Sequence, residues 1–353
     1  MKKDRNINID LIKCVALFFV ISVHFFLKTS YYDVDFKIIS IPFIVIRNVS
    51  LTCVPLFIMV TGYLSKNKFW NKEYYLNLLK IWVMYALCIV LCTLVELDYR
   101  LSLNTAYEII KNVVTFNFYG WYINMYLGLM LIAPLINRGY QNLKNKHEKT
   151  LLIVNLLIVC SISVTFGDIF VQNHHKILAN LLPGWWQYFY PIMYYVLGLY
   201  LKDYAQDLSK NLIKYLGGTI VISTMIYYYF NIRWEFVVYP NIFILLLSCL
   251  VFLLILNANV KLNYQERVRK FILFVSNNTL SAYLLSQIID SKIYPLINQF
   301  VDNPYHRLFL YPIVIINFIL TLILTYVFSL VFNKLFDCVR QLILKFKNKK
   351  ETA

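Results

Sequence analysis

Charge is what this sequence has least of. Only 15% of its 353 residues are Asp, Glu, Lys or Arg, where a soluble globular domain averages about 25%. Acidic residues are the scarcer kind, 18 against 34 basic ones. With 60% hydrophobic residues and apolar stretches along the whole length, a soluble fold is excluded and a polytopic membrane protein is expected. Long polar segments are also missing, so no soluble domain is expected beside the membrane part. The first apolar run, 7–27, lacks a small-residue cleavage site and passes straight into Lys28, Tyr31 and Tyr32. A retained helix is therefore expected rather than a cleaved signal peptide. Neither internal repeats nor Gly/Pro-broken helices in matching halves are evident, which removes the main pointers to an inverted-repeat transporter. No large loop of the kind common in polysaccharide polymerases is present either.

Cysteine is present but sets no framework. Cys14, Cys53, Cys88, Cys92, Cys160 and Cys249 lie in apolar segments and Cys338 follows the last one. No disulfide pattern is implied. Cys88 and Cys92, four apart on one helix face, read as packing rather than as a metal pair.

What is there is a series of ten apolar segments, roughly 7–27, 43–64, 75–96, 119–137, 151–167, 186–201, 212–230, 238–256, 271–289 and 309–333. The stretch 104–116 is helical in pattern but too short to span, and is expected at the interface. The net charge of +16 would point to nucleic acid in a soluble protein. Here its placement explains it. With the N-terminus inside, residues 1–6, the loops 65–74, 138–150, 202–214 and 257–270, and the tail from Lys334 are each net positive. The intervening loops carry no net charge or −1. That alternation follows the positive-inside rule. The expected fold is all-α with about ten transmembrane helices and both termini cytoplasmic. Residues 1–335 would form the transmembrane domain and 336–353 a basic tail.

Ionisable residues inside apolar segments cost roughly 2.5–3.5 kcal/mol or more at mid-depth, so they mark a site or a pathway. The first segment carries three: Asp10, Lys13 and His24. Lys13 and His24 are eleven residues apart, three helical turns plus ~20°, so they share one face ~16 Å apart along the axis. In the expected topology Lys13 lies toward the cytoplasm and His24 toward the outer face. A cation there suits a phosphorylated donor, and the imidazole can act on its reactive end as base or nucleophile. A histidine bonded across helices, with Asp10 and Lys13 pairing or snorkelling, explains the same spacing.

Arg47, at the outer end of the second segment, reads either as a binder of an anionic acceptor or as an interfacial anchor. Lys80, in the cytoplasmic third, reads as a contact for donor phosphates or as a positive-inside anchor. Asp290 and Glu235 are candidates to orient His24. His174 and His175 with Asp168 are too few for a metal site. His147 and His306 have no partner pattern. Trp185, Trp186, Tyr188 and Tyr190 read as an interfacial belt or as sugar-stacking rings.

The segment from Asn8, Ile9, Asp10, Leu11, Ile12 and Lys13 through Val20 to His24 resembles the opening helix of acyltransferase family 3, the integral-membrane acyltransferases. That family shows a basic residue, usually Arg, then ten residues, then a His taken as essential for acyl transfer. Lys13 stands in the Arg position, keeping the charge but losing the bidentate fork. Val54–Leu64, with Thr61 and Gly62, is similar to the family's Phe-rich second helix ending in Ser/Thr-Gly. Gly120, Trp121 and Tyr122 through Tyr126 to Pro134 resemble its Trp-Phe/Tyr…Tyr…Pro helix. Pro191–Tyr200 resembles its Phe/Tyr-x-x-Gly-x-Tyr helix, and Ser276–Leu285 its late Ser…Ser-x-x-Tyr-Leu segment. Two departures stand out. Lys80 is the lone basic residue where members often carry two Arg, and Ser286 stands where many carry a His.

The resemblance implies an O-acyltransferase, most simply an O-acetyltransferase of a cell membrane, as in bacteria. Acetyl-CoA would be the donor, and a hydroxyl of a surface polysaccharide or its lipid-linked precursor the acceptor. It implies His24 as the catalytic residue; Lys13 and Lys80 are then the expected donor contacts, and Arg47, Trp121 and Tyr122 the expected acceptor contacts, with the acceptor entering from the outer side. Asp10 and Tyr126 would give structural support. No metal and no nucleic acid enter this reading. The rival is a polytopic transporter or flippase for a lipid-linked sugar or acyl group.

Overall fold

A computed structural model describes residues 5–97, 100, 102–116, 118–162, 164–165, 183–208, 211–232, 239–258 and 266–351. The described residues are helical, with no strand among them. The helices are α1 (Ile7–Lys28), α2 (Ile41–Ser50), α3 (Cys53–Ser65), α4 (Lys72–Glu96), α5 (Leu103–Val114), α6 (Trp121–Asn142) and α7 (Lys146–Leu157). They continue with α8 (Tyr190–Tyr204), α9 (Leu212–Tyr229), α10 (Ile242–Asn257), α11 (Glu266–Asn277), α12 (Thr279–Phe300), α13 (Pro304–Leu308) and α14 (Ile313–Glu351).

Within the described residues, Ile7–Lys28, Ile38–Ser65, Lys72–Glu96 and Ile313–Phe332 are long and apolar enough to cross a membrane. The pair α11–α12 passes the same test together but is bent by 79°. The chain is thus a helical membrane protein whose segments are less uniform than their hydropathy. The second expected segment is two helices meeting at Leu51 and Thr52. The ninth breaks at Asn278, in the polar run Ser276-Asn277-Asn278-Thr279. The sixth begins as a 3₁₀ turn at Gly184–Phe189 before α8. The expected tail boundary at 335 falls inside α14. His174, His175, Asp168 and Glu235 lie outside the described residues.

Helix α1 is the hub, packing against α2, α3, α10, α11, α12 and α14. Its buried residues, from Ile9 and Ile12 through Ala16, Leu17 and Val20 to Phe25 and Phe26, fall on every side of the helix. Asn6 caps it by accepting from Asn8 N–H at 3.0 Å. The Asn8 amide donates to the Leu256 and Ala258 carbonyls, at 2.9 and 3.1 Å. Those are unpaired acceptors at the end of α10, where a helix leaves its last carbonyls free. Helix α14 reads the other way round. Asn317, Thr321 and Thr325 are buried while Ile316, Ile319 and Ile323 are exposed. An apolar face turned outward and a polar one inward is what lipid as solvent dictates. Helix α5 is short and carries an exposed stripe of Leu103, Tyr107, Ile110 and Val114.

The family-like glycines close the bundle beside α1. A Cβ on Gly198 of α8 would sit 2.1 Å from the Met59 carbonyl oxygen of α3. One on Gly62 of α3 would sit 2.1 Å from the Tyr195 carbonyl oxygen of α8. Small residues allow this backbone approach. Gly198→Val must push the helices apart, at a cost beyond the ~1–3 kcal/mol of an overpacked core. We expect it to abolish monodisperse protein on size exclusion after detergent extraction, with Gly128→Val, in open space, as the tolerated control.

At the end of α8, Asp203 gathers three helices. It accepts from Lys66, from Lys149 at 3.0 Å and from the Tyr140 hydroxyl at 3.3 Å. Burial alone would raise its pKa. The hydrogen bonds and charges of Lys66 and Lys149 outweigh that and hold it below the usual carboxylate range. A depressed folded pKa gives stability that is present above the unfolded value, about 4, and lost as pH falls through the folded one. Asp203→Asn should therefore lower thermal stability in detergent at pH 7, by on the order of 1–3 kcal/mol. The gap to wild type should shrink below pH ~4.

Candidate active site

Because α1 keeps regular helical geometry, Lys13 and His24 face one cavity of about 420 Å³, within the usual range for small-molecule sites. Lys13, Val20, Val23, His24 and Leu27 form one wall. Phe57, Thr61, Leu64 and Lys68, along and just beyond α3, form a second. Helix α4 contributes Lys80, Ile81 and Met84, and α6 contributes Trp121, Tyr122 and Tyr126. The α11–α12 corner adds Asn277 to Ser281, and Tyr239 and Tyr283 complete the lining. The break at Asn278 thus places a largely polar corner on the cavity.

The imidazole is held from behind. His24 Nδ1 lies 2.9 Å from Asp290 Oδ2, with 12% of the His24 side chain exposed and none of Asp290's. The Tyr119 hydroxyl donates to the same carboxylate oxygen at 2.7 Å and lies 2.9 Å from Nδ1. Asn317 Nδ2 donates to Oδ1 at 2.7 Å, and Thr321 donates to Asn317 Oδ1 at 3.2 Å. Three donors thus converge on a group whose oxygens accept. With the imidazole proton on Nδ1, the Nε2 lone pair on the opposite side of the ring is left for the cavity. The arrangement matches a histidine base whose tautomer is set by a buried carboxylate.

At the other end Lys13, Lys68 and Lys80 line the same cavity, a cationic mouth suited to an anion. Asp10 does not reach His24. It takes a bidentate pair from Arg5, both bonds at 2.7 Å, accepts from Ser276, and lies 3.9 Å from Lys13. Arg5 also donates to Asn277 Oδ1 at 2.8 Å. Asp10 therefore ties the start of α1 to the α11–α12 corner and leaves Lys13 facing the cavity.

Of the residues singled out in the sequence, His24, Lys13, Lys80, Trp121, Tyr122 and Tyr126 line one cavity. Arg47 does not line it. It is 1% exposed on α2, with Nε 3.4 Å from the Tyr32 hydroxyl and the guanidinium 5.3 Å from the Tyr32 ring centroid. His147 and His306 are exposed and apart from the cavity. Cys88 and Cys92 are buried, Cys92 donating weakly to the Leu284 carbonyl. Tyr119, Asn317 and Lys68 were not anticipated. An Asn and two Thr at four-residue spacing in an otherwise apolar run was the signal for Asn317.

Fold and site together define a helical membrane protein with a carboxylate-backed imidazole and three lysines lining one cavity. The family model described as an acyltransferase domain matches residues 6–334. The chain belongs to acyltransferase family 3. No curated protein and no solved structure matches it.

Proposed function

We propose that this protein is a membrane O-acetyltransferase. It takes acetyl from acetyl-CoA at the cytoplasmic side and transfers it to a hydroxyl of a surface polysaccharide or a lipid-linked precursor. The observation that carries this reading is His24, backed by Asp290 and sharing a cavity with Lys13, Lys68 and Lys80. The charge alternation assigns the lysine mouth to the cytoplasm in a ten-span topology with both termini inside. An anionic nucleotide with a slender thiol arm fits a cationic mouth leading into a mostly apolar passage. The ammonium groups would meet phosphates as point charges.

In the mechanism, Nε2 of His24 takes the proton of the acceptor hydroxyl as its oxygen bonds to the thioester carbonyl carbon. The tetrahedral adduct collapses, the carbon–sulfur bond breaks, and the imidazolium returns the proton to the departing thiolate. Asp290 stabilises the imidazolium in between. Trp121 and Tyr239, stacked with ring centroids 5.7 Å apart, offer the acceptor an aromatic wall near His24. A buried His–Asp pair also serves proton relays in transporters, so it is the family assignment that favours the enzyme.

The test is transfer of labelled acetyl from acetyl-CoA to glycan in oriented membrane vesicles. Inside-out vesicles should incorporate label, and sealed right-side-out vesicles should not. Absence of label in glycan from the inside-out vesicles would refute acetyl transfer to this class of acceptor. Lys13→Gln should raise the donor KM about tenfold, the worth of one hydrogen bond to a charged group. The kcat should change little, as measured by initial rates across acetyl-CoA concentration.

A further inference from the structure

Asp290 sits in the apolar interior with no side-chain exposure. A carboxylate there persists only if its lone pairs are matched by donors. Asn317 serves Oδ1. Oδ2 is served by two groups, Tyr119 O–H at 2.7 Å and His24 Nδ1 at 2.9 Å. The Tyr119 oxygen is itself 2.9 Å from Nδ1. The three atoms form a nearly equilateral triangle. One Nδ1–H cannot point straight at two corners, so it has two acceptors to choose between. It can donate to Oδ2 directly, or to the Tyr119 oxygen while that hydroxyl donates on to Oδ2.

The Tyr119 ring is fixed for this. It stacks on Tyr283 at 5.8 Å, the Tyr283 hydroxyl donates to the Tyr119 carbonyl, and Ser286 Oγ lies 3.3 Å from the Tyr119 hydroxyl. Upstream, Phe116 adopts a positive φ of 48° and stacks on Tyr85 at 5.1 Å. At Gly120 a Cβ would strike the Tyr85 ring. The turn entering α6 is therefore held on both sides of Tyr119.

We infer that Tyr119 is a positioning residue for acyl transfer. Its hydroxyl fixes the Asp290 carboxylate and gives the His24 Nδ1–H a second acceptor, so the imidazole can tilt toward and away from the thioester without losing its proton's partner. A direct contact alone would break on tilting, and the tautomer would then be free to switch. This inference rests on the reading of His24 as the base, and Tyr119 acts through Asp290 and His24 rather than on substrate.

The experiment is a double-mutant cycle in initial-rate kinetics on membranes matched for the amount of inserted protein. Tyr119→Phe keeps the ring and its stacking and removes only the hydroxyl. It should lower kcat roughly 10- to 100-fold, the span of one hydrogen bond to a charged group, with the donor KM changed less than about twofold. In an Asp290→Asn background the same change should cost under about threefold, because residues acting as one unit are not additive. A merely structural role for Tyr119 would lower the amount of inserted protein or give additive losses, and either result overturns the inference. Wild-type kcat in Tyr119→Phe, with His24→Ala inactive, overturns it too while leaving the function standing. Full activity in His24→Ala defeats the function and this inference together.

Discussion

His24→Ala is expected to abolish acyl transfer while leaving the protein in the membrane. Loss of a positioned general base costs typically 10²–10⁴-fold, so at least ~100-fold is expected. The structural cost is the loss of one of three donors to the buried Asp290, whose two oxygens are still served by Tyr119 and Asn317. The side chain borders the cavity, so its removal enlarges space already open and makes no closed void. Donor binding should survive, because Lys13, the contact proposed for it on this helix, lies ~16 Å away along α1. The readout is label transferred from acetyl-CoA per unit of inserted protein, beside the affinity for CoA. A rate near background with unchanged CoA affinity is the expected pair. Wild-type transfer would remove His24 from the chemistry.

Asp290→Asn is the second large effect. The substitution keeps size and shape but replaces an acceptor-only oxygen pair with one oxygen and one NH₂. If the amide turns its NH₂ to His24, Nδ1 must become the acceptor and the proton moves to Nε2, where a base needs its lone pair. If it turns its oxygen to His24, the NH₂ faces the Asn317 donor and one of the two is left unsatisfied in the interior. Either way the negative charge that stabilises the imidazolium is gone. The same replacement behind a catalytic histidine elsewhere lowers kcat by about 10⁴, and a loss on the order of 10³ is expected here. It should fall on kcat and leave the donor KM nearly unchanged. Equal losses in kcat/KM and in inserted protein would instead make Asp290 a folding residue.

How much of this was legible in the sequence depends on whether the information was local. The alignment of Lys13 with His24 follows from the regular geometry of one helix and needs no tertiary knowledge. The α3–α8 contact was half legible: Gly62 and Gly198 stood in family-like motifs, but only the structure shows each facing the other helix's carbonyl. Asp290 was one of two candidates, with Glu235, to orient His24 from near the outer face. Its pairing with His24 spans 266 residues and depends on how α12 packs on α1. Tyr119 was invisible for a different reason. It lies in a turn just ahead of α6, where the aromatic density reads as an interfacial belt. Asp10, read in the sequence as structural support, is held by Arg5 and Ser276, partners that the sequence did not point to. Arg47 was expensive in sequence and is accounted for in part by the Tyr32 hydroxyl and ring.

The bend at Asn278 was missed because hydropathy averages over the four polar residues that make it. That corner turns one expected span into two helices and shapes the mouth beside Lys13. Ser286, at a position where many relatives carry a His, now has a location. It sits behind the imidazole, next to the Tyr119 hydroxyl rather than in the cavity. In this chain that position belongs to the support of the dyad.

In the proposed function one cavity joins the lysine mouth to His24 and holds the donor along its length. The most direct measurement is the structure of the protein with CoA bound. Phosphates are expected among Lys13, Lys68 and Lys80, with the thiol lying against the Nε2 side of His24. CoA bound outside this cavity, or within it with the thiol away from His24, would contradict it.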